Sequence, residues 1–238
     1  WGEFFTVVSE LDANRYGCTD FDAINYEATA NVDDGSCIYT VVQNLYLDGI
    51  ILNSISLYND PLNASIEDIF GDANIILITN DQGEYYIPGN GVNTIGEWEV
   101  GKGYQVLVGG FDDIECPVEG YPLDVYNTAV ELRPFLLNNV AYLLDYASSV
   151  ESLFSNLPIV FISDDEGHYY IPGNGVNTID ASGGMKPGKG YQVLISGTES
   201  IEFTYGDATD EGLTRSVGVV GASYNYDITR TGVSHPII

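Results

Sequence analysis

The sequence predicts a mainly β protein: two tandem small β-rich modules, each with one short helix, behind a disulfide-closed, Asp-rich loop. Three observations predict it. An 11-residue segment, 85–95 (Tyr-Tyr-Ile-Pro-Gly-Asn-Gly-Val-Asn-Thr-Ile), recurs without change at 169–179, 84 residues on. Short β-branched runs alternate with Gly, Pro and Asn/Asp turns. Two cysteines, Cys18 and Cys37, bracket a segment crowded with carboxylates and amides.

The repeat extends beyond its identical centre. Gly-Lys-Gly-Tyr-Gln-Val-Leu at 101–107 returns at 188–194, now 87 residues on, so the second copy carries a three-residue insertion near 181–184. Upstream, Ile66-Glu67-Asp68-Ile69-Phe70 aligns with Val150-Glu151-Ser152-Leu153-Phe154, and 52–55 corresponds loosely to 137–140. Copies of about 80 residues mean paired small domains, not a solenoid of short repeats. The expected divisions are 1–16, the end of a preceding domain; 17–39, the Asp-rich linker; 40–128 and 129–208, the two copies; and 209–238, strands that complete copy two or open a further domain.

Element by element, 50–58 reads as a strand. Residues 65–70 read as a helix that Ser65 can cap, with Asp68 three residues on and Ile66, Ile69 and Phe70 on one face. An apolar, β-branched run at 74–79 predicts a buried strand. Asn80-Asp81-Gln82-Gly83 predicts a hairpin turn into a strand at 84–87. Pro88-Gly89-Asn90-Gly91 breaks the chain, and 104–108 is a further strand. Copy two predicts a helix at 150–154, strands at 159–163, 168–171 and 191–196, and a turn at 164–167. In the tail, 217–220 and 224–229 are strand-like.

Charge bounds the partners. The 238 residues carry a formal net charge of −28, with 45% hydrophobic residues. That composition suits a globular chain, not an acidic disordered tail. A phosphate backbone would be repelled, so nucleic acid is not an expected partner. No apolar run reaches the length of a membrane span, so membrane insertion is not expected. Trp1-Gly2-Glu3-Phe4-Phe5 at one end and Pro236-Ile237-Ile238 at the other read as a piece of a longer polypeptide.

The cysteine pair predicts a disulfide, which in a chain-entropy account stabilises a loop of this size by roughly 3 kcal/mol and indicates an oxidising compartment. Cys116 is expected as a packed free thiol or as a partner for something outside the chain. The bracketed segment has the oxygen donors that calcium selects, without the spacing of an EF-hand. By chemistry alone it is either a calcium loop or a solvated acidic linker.

Gly-Cys-Thr-Asp-x-x-Ala-x-Asn-Tyr followed by Ala-x-x-Asp-Asp-Gly-Ser-Cys, over 17–39, resembles a cysteine-closed motif common in secreted Bacteroidetes proteins and in some marine viruses. It is similar in style to thrombospondin type 3 calcium loops. The resemblance implies Asp20, Asn25, Asn31, Asp33 and Asp34 as calcium ligands; Phe21 stands where the motif has Pro. The duplicated module resembles a repeat of large surface proteins of the same bacteria, on 66–70, 86–88, 93–96, Trp98 and 101–106. Copy two lacks the Trp and has Asp180 in place of Gly96. The resemblance implies extracellular or cell-surface modules in a multidomain assembly whose partners are neighbouring domains or subunits.

No catalytic residue is assigned. His168 and His235 lack a Ser or Cys partner in a nucleophile motif. The Gly-rich loops open no helix with Gly-Lys-Ser/Thr, so turn chemistry explains them better than phosphate binding. Lys102, Lys186 and Lys189, all the lysines of the chain, fall in the equivalent Gly-rich loop, which predicts ion pairs with acids of the same or the neighbouring module. Tyr86, Tyr170 and Trp98 are candidates to stack on glycans. The expected function is a non-catalytic extracellular structural or adhesive element of a surface, filament or secreted protein, with a calcium-stiffened linker. A carbohydrate-binding module pair or a viral appendage protein is the alternative.

Overall fold

Residues 14–208 are described by the computed structural model. The expectations for 1–13, for the tail strands at 217–220 and 224–229, and for His235 lie outside them. Two short strands, β1 (Tyr16–Gly17) and β2 (Val32–Asp33), pair in parallel inside the cysteine-closed segment. The first module then runs β3 (Val41–Leu47), β4 (Leu52–Ile55), β5 (Asn59–Pro61), α1 (Ile66–Phe70), β6 (Ile75–Thr79), β7 (Tyr85–Ile87), β8 (Val92–Asn93), β9 (Tyr104–Val108) and β10 (Ile114–Pro122). The second runs β11 (Ala129–Leu132), β12 (Asn138–Ala141), α2 (Val150–Phe154), β13 (Ile159–Ser163), β14 (Tyr169–Ile171), β15 (Val176–Asn177), α3 (Thr178–Ala181), β16 (Gly190–Ile195), β17 (Ile201–Thr204) and α4 (Tyr205–Ala208).

The sequence repeat is a repeat of topology. One five-stranded sheet has the order β4-β9-β6-β7-β8, the other β12-β16-β13-β14-β15, with matching antiparallel pairs. Even the register shift between the third and second strands recurs, at Ile75/Leu77 and Ile159/Phe161. A second sheet completes each core: β3-β10-β5 in the first module, β11-β17 in the second. Leu45, Leu47, Cys116 and Val118 from the smaller sheet share one buried cluster with Ile55, Ile78, Val106 and Val108 from the larger one, and Ile66 and Phe70 of α1 close it. The second cluster is separate and also takes Leu123 and Val125.

Local chemistry accounts for the helices. Ser65 Oγ accepts the Asp68 N–H at 3.4 Å and Ser149 Oγ the Ser152 N–H at 3.2 Å, so each helix begins on a Ser cap. The one-helix expectation holds for the first module; the second adds α3 and α4. Helix α3 leads into the insertion, and Asp180 within it caps α2. Its carboxylate accepts the Ser149 hydroxyl and the Val150 N–H, both at 2.7 Å, and the Asn177 side-chain amide at 2.6 Å.

The Trp absent from copy two has a structural successor. Trp98 N–H donates to Ala64 C=O, and Met185 N–H to the equivalent Ser148 C=O. Beside them, the Tyr104 hydroxyl accepts from Glu99 N–H and the Tyr191 hydroxyl from Lys186 N–H. Met185 thus fills the place of Trp98, and the cores compensate for the lost volume. The first packs Trp98 against Tyr104 at a tilt, with ring centroids 4.2 Å apart, beside the small Cys116 and Val118. The second sets Phe203 and Tyr205 at those two positions, against Phe154 and Tyr142. Cys116 is a buried free thiol, and burial raises its pKa.

Candidate functional site

The repeated Gly-Lys-Gly motif lies where the two modules meet, and several of the contacts there have counterparts in the other copy. Strand β4 of the first module approaches the start of β16, while β12 of the second approaches the start of β9. Ser56 N–H donates to Gly188 C=O at 2.9 Å, and Ala141 N–H donates to Gly101 C=O at 3.2 Å. Ile55 bridges Lys189 as Val140 bridges Lys102. Asp165 Oδ2 accepts Ser54 N–H at 2.7 Å, and Asp81 Oδ2 accepts Asn139 N–H at 3.2 Å. Such reciprocity is the mark of an isologous, two-fold contact, formed here within one chain. It also covers the outer edges of both β4 and β12, which would otherwise present unpaired backbone groups.

The second glycine of each motif lies too close to the other module for a larger residue to fit without a shift. A Cβ on Gly103 would sit 3.0 Å from Val140 O, and one on Gly190 2.7 Å from Ile55 O. Polar side chains complete the seam. Ser56 Oγ donates to Lys189 C=O at 2.7 Å and accepts Tyr142 N–H at 3.0 Å. Arg133 reaches across to Asp81 at 2.7 Å.

The lysines pair within their own modules: Lys102 with Glu99 at 2.7 Å, Lys189 with Asp165 at 3.1 Å and Glu166 at 3.4 Å, Lys186 with Glu166 at 3.8 Å. Burial pulls the Lys189 ammonium down, but Asp165, by charge and by hydrogen bond, and then Glu166 outweigh it, so its pKa lies above the usual lysine value. In the same turn, Asp164, Glu166 and His168 place ligand atoms within 4.8 Å of one another and could hold a metal ion. The first copy shows another role for this geometry. There Asn80 Nδ2 donates to Glu84 Oε2 at 2.8 Å; here His168 Nδ1 lies 2.8 Å from Asp164 Oδ2. Donor and acceptor have exchanged places, and the strut across the turn is kept.

The Cys18–Cys37 disulfide closes the N-terminal segment, with the two Cα atoms 4.8 Å apart. Its polar side chains hold the backbone. Asn25 Nδ2 donates to Ser36 C=O at 2.6 Å, and its Oδ1 accepts Ile38 N–H at 2.7 Å. Asn31 Oδ1 accepts Arg15 N–H at 2.8 Å. Asp33 and Asp34 each accept a backbone N–H two residues on, at 3.0 Å. Asp20 accepts the Tyr39 hydroxyl at 2.7 Å and Asp22 N–H at 2.9 Å, and these two bonds lower its pKa. The Ser36 side chain and backbone lower that of Asp34. Among the described residues, Asp20, Asp33 and Asp34 do not form a converging group of three ligand atoms of the kind found at Asp164, Glu166 and His168.

The aromatic candidates need correction. Trp98 and Tyr170 are 4% and 6% exposed, and neither can offer a face to a sugar ring. Tyr86 is only half-buried, but it packs on the first core. Burial raises the pKa of both tyrosines. Strand alternation turns Tyr85 and Tyr169 outward instead. No protein family, curated protein or solved structure matches the chain. Sequence reading missed the seam, although its signal was present: a second glycine kept in both Gly-Lys-Gly motifs, without a phosphate-loop context.

Proposed function

We propose that this chain is a non-catalytic structural element of a surface or secreted assembly, in which two modules act as one rigid spacer. The observation that carries this reading is the reciprocal seam: backbone bonds, Asp81 and Asp165 tie the modules at pseudo-equivalent points, and the Ser56 hydroxyl adds bonds on one side. Buried, hydrogen-bonded contacts of this kind resist bending better than a flexible linker. Extracellular placement is part of the proposal. It is supported by the Cys18–Cys37 disulfide. No helix of the described residues is long and apolar enough to cross a membrane. The test is Gly190→Val, which drives a side chain into Ile55 O. Small-angle scattering should show a larger radius of gyration than wild type while both modules keep their β signal; an unchanged profile would refute the spacer.

Calcium stiffening of residues 17–39 belongs to the same proposal, with Asp20, Asp33 and Asp34 as donors. Asn25 and Asn31 already spend their side-chain oxygens on the backbone, so their part is to shape the loop. The disulfide and these backbone bonds hold the loop closed, and calcium bound to its carboxylates would stiffen it further. Calorimetric titration of the whole chain should give a heat that Asp33→Asn with Asp34→Asn removes. A flat titration with wild type would discard calcium and leave the spacer standing.

A further inference from the structure

The two sides of the seam differ beside the first glycine of each motif. On one side Gln43 of β3 closes in: a Cβ added to Gly188 would lie 3.5 Å from Gln43 Nε2. Gln43 is 1% exposed, and its side chain donates to Ser56 C=O and accepts Tyr58 N–H. Its counterpart in the second module is Thr128. Leu47 pairs with Ile114 as Leu132 pairs with Ile201, and Gln43 and Thr128 each stand four residues before that leucine. Thr128 is shorter, and its hydroxyl turns back to Asp124 C=O. Beside Gly101 the seam therefore keeps a hollow of about 240 Å³, lined by Asp81, Glu99, Lys102, Arg133 and Asn139.

Polar atoms in this hollow lack partners. Asn139 is 9% exposed, yet only its backbone N–H is bonded; its side-chain amide has no hydrogen-bond partner among the described residues. Buried amides are as a rule hydrogen-bonded. Asp81 takes both the Arg133 guanidinium and the Asn139 N–H on Oδ2, which leaves Oδ1 for an incoming donor.

The charges around the hollow select the ligand. Arg133 is matched by Asp81 and Lys102 by Glu99, each at 2.7 Å. An anion would have to displace a carboxylate, in a chain of net charge −28. A cation would have to displace a guanidinium or an ammonium. Neutral hydroxyls need neither. They can donate to Asp81 and Glu99 and accept from Asn139 and Lys102, and hydrogen bonds to ionised groups are the stronger kind. A cavity of about 150 Å³ takes a benzene ring, so this larger one takes a six-membered ring with its hydroxyls. Val100 and Val130 supply apolar wall for the C–H bonds of such a ring.

We propose that the hollow binds one neutral hexopyranose unit of a glycan, held by Asp81, Asn139 and the Lys102–Glu99 pair. The site uses none of Tyr86, Tyr170 and Trp98. It exists only where the modules meet, so it rests on the seam described above.

Amide-resolved NMR titration of the full chain tests it. The probes are the methyl pyranosides of glucose, galactose and mannose at about 10 mM, tenfold above a weak dissociation constant of about 1 mM. At least one should shift the Asn139 side-chain amide and Gly101 N–H saturably. Sodium sulfate and tetramethylammonium chloride at the same concentration should shift neither. Asn139→Ala keeps the backbone bond to Asp81 and should weaken binding about tenfold. Ala129→Phe, which fills the hollow from its exposed rim, should abolish it. No shift with any of the three sugars, equal shifts with either salt, or variants that bind like wild type would each overturn the proposal. Small-angle scattering on the same samples separates the two readings: a compact wild type without a sugar shift removes the site and leaves the spacer.

Discussion

Asn53 and Asn138 show how much one buried side chain organises. Asn53 accepts Asp48 N–H and donates to the carbonyls of Asp48 and Ile51; Asn138 does the same with Arg133 and Leu136. Each ties a loop to the strand beside it, with a further donation to Val106 or Val193 C=O at 3.4 and 3.1 Å. Removing either side chain leaves several buried backbone groups unpaired. Asn138→Ala should therefore cost about 2–3 kcal/mol in urea unfolding. A cost below about 0.5 kcal/mol, the size of an ordinary surface change, would contradict the clamp. Ile50, held beside Asn53 at φ 67°, predicts the opposite sign. Ile50→Gly should stabilise by up to about 1 kcal/mol, because relief of the left-handed backbone exceeds the added chain entropy of glycine.

Elements divide by how local their causes are. Helices α1 and α2, strands β6, β9 and β13, and the turns at 80–83 and 164–167 were legible, because a Ser cap, a β-branched run or a turn opened by Asn or Asp and ended by Gly decides them within a few residues. Strands β3 and β10 were not. Gln43 is buried in β3, where it donates to Ser56 C=O and accepts Tyr58 N–H, and this polar residue breaks the apolar alternation. Pro117 and Gly120 argue against a strand in β10, yet its inward residues do alternate as Ile114, Cys116, Val118 and Gly120. The expected strand at 50–58 became β4 alone, because Ile50 turns the chain. At the site, the cysteine pair and the lysine ion pairs could be read from spacing, while the seam needed the fold. Asp180 looked like a departure from the repeat and is a cap. Asp180→Ala should cost about 1–2 kcal/mol and weaken α2 before the rest of the second module, as amide exchange of residues 150–154 would report.

Across the whole molecule, buried tyrosines set the alkaline limit. Burial pushes Tyr104 up to about 12, and Tyr142, Tyr191 and Tyr205 well above the usual phenol value. A pKa raised by folding means stability that is full below the unfolded value of about 10 and lost as pH rises toward the folded one. The chain should unfold cooperatively between about pH 10 and 12, with these tyrosines ionising in the same step. Tyrosinate absorbance recorded beside circular dichroism checks this. Full ionisation with the fold intact would mean that the tyrosines are not shielded.

The central claim is that two modules form one body through reciprocal contacts. Residual dipolar couplings of the backbone amides measure this directly in the intact chain. One alignment tensor should fit β4, β6 and β9 together with β12, β13 and β16, and Gly190→Val should split it in two. Two tensors of different magnitude in the wild-type chain would contradict the account.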